Sequence, residues 1–320
     1  MKTTTITTII TTVAAMLVTT ACGDRARDIR TLAVPTAVTV TLPPIPDSYV
    51  IAGDTIDLTS YENRERLDRE LLAFTYSHTN TVLGLKRANR YFPVIEPILQ
   101  SHGIPDDMKL LTIVESYLNP FARSGAGAAG IWQFMPATGR EFGLEVSKSV
   151  DQRYDIAMST EAACRYLKQA YGKFHDWLSV AASYNAGQGA VRRFSDRHLS
   201  DDATHWWMTE QTSRYIFRLI AVKMIYSDPS AYGIVLTADQ FYPPLDYDTV
   251  AVRQDIRDLA AFAKGRGLTY YQLRDANPWL RQQSLTVRKG KTYRLLIPTQ
   301  ESMHYDPAAT VVHDPRWAAY

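Results

Sequence analysis

The chain has 320 residues and a mass of 36.1 kDa, room for one large domain or two ordinary ones around a sizeable core. Charged residues make up 21% and hydrophobic ones 46%, with 16 Gly and 16 Pro, which excludes a collagen, a coiled coil and a disordered chain. A net charge of +2 leaves no broad basic face to track a phosphate backbone, so nucleic acid is not an expected partner, and two cysteines with no C-x-x-C pair exclude a disulfide scaffold.

In chain order, residues 1–22 put one Lys before a Thr-rich, weakly apolar run that ends in small residues and Cys22, the plan of an export signal over 1–21. Its apolar part, 6–18, is too short and too hydroxylated for a spanning helix, which needs about 20 mostly apolar residues. The ending Thr19-Thr20-Ala21-Cys22 resembles the bacterial lipoprotein signal, with Thr19 where that pattern prefers Leu. The resemblance implies acylation of Cys22 and a lipid anchor that holds an exported, periplasmic protein to an envelope membrane, the outer one favoured; ordinary cleavage is the alternative. Residues 22–57, with Pro43-Pro44-Ile45-Pro46, read as an extended tether.

From residue 58 the pattern turns helical, with Leu67, Leu71, Phe74 and His78 on one face of a first amphipathic helix. Phe92-Pro93, Gly103-Ile104-Pro105 and the Gly-rich stretch 124–130 are expected to begin or end elements. Further helix patterns cover 151–171, 177–184 and 212–226, the last strongly apolar, so 58–235 is expected to form an all-α domain. Over 243–300 the texture changes to strand, helix, helix, strand, and 301–320 is a tail without a readable pattern.

One carboxyl stands out. Pro105, Asp106 and Asp107 suit a helix start and Asn119-Pro120 a stop, and between them Met108, Leu110, Leu111, Ile113 and Val114 make the segment apolar nearly all round. Glu115 projects from the stripe of Met108 and Leu111. A carboxyl there either loses hydration, raising its pKa so that it holds a proton to donate, or reaches water from the last turn; spacing leaves both open. Candidates for a second carboxylate, Glu141, Asp151, Asp155 and Glu161, lie on later segments, and nothing in the sequence pairs one with Glu115. The seven histidines show no metal-ligand spacing, and neither a metal nor an organic cofactor is expected.

Four blocks in order carry a resemblance across 90–226: Glu115-Ser116-Tyr117-Leu118-Asn119-Pro120; Ser124 through the glycines to Gly130-Ile131-Trp132-Gln133; Ser183-Tyr184-Asn185-Ala186-Gly187; and Gln211-Thr212 with Tyr215. Together they resemble the lytic transglycosylases of the goose-type lysozyme superfamily, most nearly the membrane-bound lytic transglycosylase D group. Ile131 replaces a Leu, Ser183 an Ala, and Gln211 stands where the family has Glu, with Glu210 adjacent. The resemblance implies a mainly α protein, with a lysozyme-like all-α catalytic domain over 58–235. It also implies cleavage of the β-1,4 bond between MurNAc and GlcNAc of peptidoglycan strands, with 1,6-anhydro ends and Glu115 as the one acid and base. Ser124 and Gln133 would then bond sugar and acetamido groups and Met135 line a subsite. Tyr184 and Asn185 would contact the acetamido group, and Tyr215 would bond the catalytic carboxyl; packing and capping are the ordinary alternatives.

Trp206 and Trp207 suit burial better than sugar stacking, and Cys164 reads as apolar filler. Leu273, Asn277-Pro278 and Leu296-Ile297-Pro298 resemble the LysM fold, a βααβ module that binds N-acetylated glycans, with Arg253-Gln254-Asp255 in place of its usual Gly-Asp-Thr. A structural appendage without glycan affinity stays open. If the module binds glycan, a chain ended near Asp239 keeps its chemistry on soluble fragments and loses affinity for intact sacculi. A water-using lysozyme and a non-catalytic glycan-binding lipoprotein are the competing functions.

Overall fold

The computed structural model describes residues 42–319 apart from 199, 201 and 305. The expected export signal, Cys22 and the first part of the tether lie outside the described residues. The tether is corrected at its end. Strands β1 (Ser48–Ile51) and β2 (Asp54–Asp57) form an antiparallel hairpin whose Ile51 and Ile56 are buried in the main core. Its two-residue turn puts Ala52 and Gly53 in the left-handed region (φ 52° and 93°), the twist that such hairpins need. The Ala52 amide donates to Asp107 Oδ2 at 2.6 Å, and Lys223 Nζ donates to the same oxygen and to the Val50 carbonyl, both at 2.8 Å.

The first helix pattern is split. Helix α1 (Tyr61–Tyr76) starts at the Ser60 cap, and α2 (His78–Ser101) follows after Ser77 alone, so His78 opens the second helix. Contrary to the expected break at Phe92-Pro93, α2 runs through both Pro93 and Pro97. Each interior proline costs about 3 kcal/mol. Burial of Leu85, Phe92, Ile95 and Leu99 along the same helix, each contributing about 1.5–3 kcal/mol, offsets that cost. A 3-10 turn (Asp106–Leu110) leads into α3 (Leu111–Ser116), and α4 (Pro136–Glu141) follows the Gly-rich stretch. Helices α5 (Ile156–Phe174), α6 (Trp177–Ala186), α7 (Gln188–His198) and α8 (Glu210–Ser227) complete the helical part. The central element is α8: ten of its residues are buried, and it packs on α1, α3 and α6.

The C-terminal module has the expected order: β3 (Tyr247–Val252), α9 (Leu259–Lys264), α10 (Tyr270–Ala276) and β4 (Tyr293–Pro298), with β3 and β4 antiparallel. Asn277 is fully buried and stitches α10 to β4, donating to the Leu273 and Leu296 carbonyls and accepting from the Leu296 amide at 2.8 Å. The module is docked on the helical part. Val150 belongs to the module's own core, the Asp151 amide donates to the Trp279 carbonyl, and the Arg281 amide donates to the Ser149 carbonyl, both at 2.9 Å. Glu145, nearly buried, takes Lys291 at 2.6 Å and the Tyr293 hydroxyl at 3.0 Å.

The tail is not featureless. Trp317 is 5% exposed and belongs to the main core, stacked on Phe241 and tilted against Phe92, and its Nε1 donates to the Tyr226 carbonyl at 2.7 Å. The apolar residues of 301–320 recur at neither a helical nor a strand period, so the burial of Trp317 was invisible in the sequence.

Candidate active site

Helix α3 has only six residues and ends at Tyr117 and Leu118, both left-handed (φ 49° and 53°). Two such residues in succession cost on the order of 1–3 kcal/mol each. The turn is held because the Leu118 amide donates to the Thr112 carbonyl at 3.2 Å and the Leu118 side chain is fully buried. The abrupt stop leaves Glu115 in the last turn, half-buried, with its carboxyl crowded enough for desolvation to dominate. Burial pushes its pKa up to about 7, opposed by a hydrogen bond from Tyr215 and the positive charge of Arg218. The Tyr215 hydroxyl donates to Glu115 Oε1 at 2.7 Å. Burial first, and the Glu115 charge second, hold the phenols of Tyr215 and Tyr184 above their ordinary range.

The Gly-rich stretch is pinned. Ala129 forms bridges with both Arg123 and Phe134, and the Ser116 hydroxyl donates to the Ile131 carbonyl at 2.9 Å, tying the loop to α3 beside Glu115. Gly130 has φ +76°, and a Cβ there would lie 1.8 Å from the Arg153 carbonyl oxygen, so only glycine fits. The buried Arg153 guanidinium donates to the Gly127 and Phe134 carbonyls at 2.7 and 2.8 Å and pairs with Asp151 at 2.7 Å. Trp132 is fully buried and donates to Thr160 Oγ1 at 2.9 Å.

Of the residues singled out in the sequence, Gln133, Met135, Tyr184 and Asn185 line one cavity of about 440 Å³. Gln133 is left-handed (φ 49°) and gives its amide to the Gly130 carbonyl at 2.7 Å, while Tyr184 donates to the Trp132 carbonyl at 2.7 Å. Met135 is 42% exposed. Ser124 is outside this lining; it is exposed, and its hydroxyl accepts the Ala128 amide at 3.0 Å within the loop. Gln211 is exposed, and the Tyr215 to Glu115 bond forms without it. Trp206 is buried and Trp207 exposed, so the expected burial of the pair holds for one ring. Cys164 is fully buried, and burial pushes its thiol up to about 12, the behaviour of core filler.

Among the possible second carboxylates, Glu141 lines the cavity, Asp151 is held by Arg153, Asp155 caps α5, and Glu161 pairs with His102 at 2.7 Å. Among the described residues no cluster of His, Cys, Asp and Glu is suited to a metal. Sequence reasoning missed Ser116, Arg153 and Arg218. Arg218 had a signal: it follows Tyr215 by three, which puts both on one face of α8.

Residues 93–206 match the family model of the Transglycosylase SLT domain, and residues 248–301 match that of the soluble lytic transglycosylase C-terminal LysM-like domain. Membrane-bound lytic murein transglycosylase D of Escherichia coli is 29% identical over 267 residues, 80% of this chain and 56% of its own. Membrane-bound lytic murein transglycosylase C of Haemophilus influenzae is 27% identical over 168 residues, 48% of this chain and 46% of its own. A solved lytic transglycosylase from Pseudomonas aeruginosa, an inactive mutant, superposes with a TM-score of 0.37 at 27% identity, over 43% of this chain and 24% of that one. The chain spans about half the length of the curated relatives it matches (56% and 46%).

Proposed function

We propose that this chain, which carries an SLT transglycosylase domain and a LysM-like module, is a peptidoglycan lytic transglycosylase with Glu115 as its single acid and base. The reading is carried by the carboxyl at the end of α3: its pKa of about 7 keeps a proton available near neutral pH, and Tyr215 and Arg218 are the groups that act on it. Protonated Glu115 gives its proton to the β-1,4 glycosidic oxygen between MurNAc and GlcNAc as the bond to C1 breaks. The substrate's own N-acetyl carbonyl steadies the positive charge at C1. The carboxylate so formed takes the proton of the MurNAc C6 hydroxyl, whose oxygen closes on C1 to give the 1,6-anhydro end, and no water is consumed. Tyr215 favours the middle of this cycle, because a hydrogen bond to a carboxylate is stronger than one to a carboxyl. Gln133, Met135, Tyr184 and Asn185 hold the adjoining sugar in their shared cavity, and Ser124 acts by closing the Gly-rich loop through the Ala128 amide.

The test is mass spectrometry of purified peptidoglycan digested by the protein and by Glu115→Gln. Fragments lighter by one water than hydrolysed ones, absent with the variant, support the reading; hydrated ends make the protein a lysozyme, and intact glycan from both makes it a binding protein. Acylation of Cys22, with anchorage at the periplasmic face of the outer membrane, belongs to the same reading. Among the described residues no helix is long and apolar enough to cross a membrane. Cys22→Ser is expected to move the exported protein from the membrane pellet to the supernatant; retention in the pellet would discard the anchor.

A further inference from the structure

A second cavity, also of about 440 Å³, shares no residue with the first. It is lined by Phe74, Ser77, Tyr117, Gln211, Arg214 and Arg218 together with Glu70, Ala73 and Glu210. Glu115 acts on residues of both cavities, on the Tyr184 phenol in the first and with Arg218 in the second. We propose that the second cavity is a subsite for a carboxylate carried by the glycan, and that the guanidinium of Arg218 recognises it. The inference rests on the reading of peptidoglycan as substrate.

The argument is one of charge balance. Glu70, 1% exposed, takes two bonds from Arg214 at 2.7 and 3.2 Å and one from Arg69 at 3.2 Å. Glu210 stands 3.6 Å from Arg69 and 3.9 Å from Arg214. Two acids and two guanidiniums are thereby matched. Arg218 remains over: among the described residues it forms no ion pair, its guanidinium carbon lies 5.7 Å from the Phe74 ring centroid, and its one hydrogen bond is a long 3.4 Å to the Val114 carbonyl. Its charge acts on Glu115, which in the proposed reaction begins neutral and so does not balance it. A half-buried cation with five donors and one weak acceptor therefore lines a cavity that can admit a sugar substituent. A planar guanidinium suits a carboxylate, which it binds through two parallel bonds.

Peptidoglycan offers that group in two places. The lactyl ether of MurNAc ends in a free carboxylate where the stem peptide has been removed, and an intact stem carries carboxylates of its own. A glycan of GlcNAc alone carries neither.

Binding separates recognition from turnover. Calorimetry on the full chain with Glu115→Gln, which keeps position 115 neutral and stops cleavage, compares two pairs of soluble glycans: peptide-free strands with the lactyl carboxylate free or methylamidated, and peptide-bearing strands with the stem carboxylates free or methylamidated. One pair is expected to show about tenfold tighter binding of the free acid, the size of one charge-assisted bond pair. Adding Arg218→Gln should bring that ratio to about one, with affinity for the amidated partner unchanged as the check on folding, and Arg218→Lys should restore part of it. The pair that responds identifies the lactyl group or the stem as the source. A preference that survives Arg218→Gln, or equal binding within both pairs, overturns the proposal. Failure of the unmodified protein to release anhydro fragments overturns the proposed reaction instead, and the binding ratio still decides the subsite.

Discussion

At the scale of the residue, a carboxyl whose pKa is raised by burial is a cost to the fold. The pKa of Glu115 rises from 4.5 to about 7 on burial, so the native state prefers the protonated form. Because the folded pKa lies above the unfolded one, the native state is fully favoured below about pH 4.5 and loses stability as pH rises through 7, by on the order of 3 kcal/mol. Glu115→Gln cannot ionise. Urea unfolding is expected to show the variant gaining on the unmodified protein by roughly that amount between pH 4 and pH 8; a constant difference across the range would mean that the carboxyl is not desolvated. The apolar stripe before Glu115 made the residue legible from sequence, but its choice between burial and water was not. Burial decides it, and the surroundings come from far along the chain: Tyr215, which bonds the carboxyl, stands 100 residues away on α8, and no local pattern reports such a distance.

Among the elements, periodicity identified the helices well and their limits poorly. The patterns at 151–171, 177–184 and 212–226 lie within or across α5, α6 and α8, because a buried stripe repeats in the sequence whatever it packs against. The joint at Ser77, the passage of α2 through two prolines and the hairpin at 48–57 depend on tertiary burial that outweighs local preference. The loop over 124–130 shows the same limit: its glycines look alike in sequence, yet they differ sharply in surroundings. Gly130→Ala brings a methyl against the Arg153 carbonyl in a left-handed conformation, whereas Gly125→Ala meets nothing within 4 Å. Thermal unfolding should register a loss on the order of 3 kcal/mol for the first and within about 0.5 kcal/mol for the second. Equal losses would show that the loop does not approach the Arg153 carbonyl this closely.

For the whole molecule, the apparent order of helical part, module and tail is not the order of the cores. Trp317, beyond the module, packs with Phe92, Tyr226 and Phe241 of the helical part. Val150, within the helical part, packs in the module. A chain ended near Asp239 would lack Trp317 and Phe241 and leave Glu145 without Lys291 and Tyr293. The proposed cleavage of soluble fragments is therefore not expected to survive intact in that shortened chain. Trp317→Ala alone should cost about 3–5 kcal/mol, the usual cost of emptying a large aromatic site, read by denaturant unfolding; a loss below about 1 kcal/mol would show the tail to be an ornament. The sequence betrayed the two domains through their textures, but textures are local and the exchange of Val150 and Trp317 is not. That exchange also sets a timetable. A chain emerging from its N-terminal end exposes the slot between Phe92 and Tyr226 long before residue 317 arrives to close it, so the helical part waits, incompletely sealed, through the synthesis of the whole module.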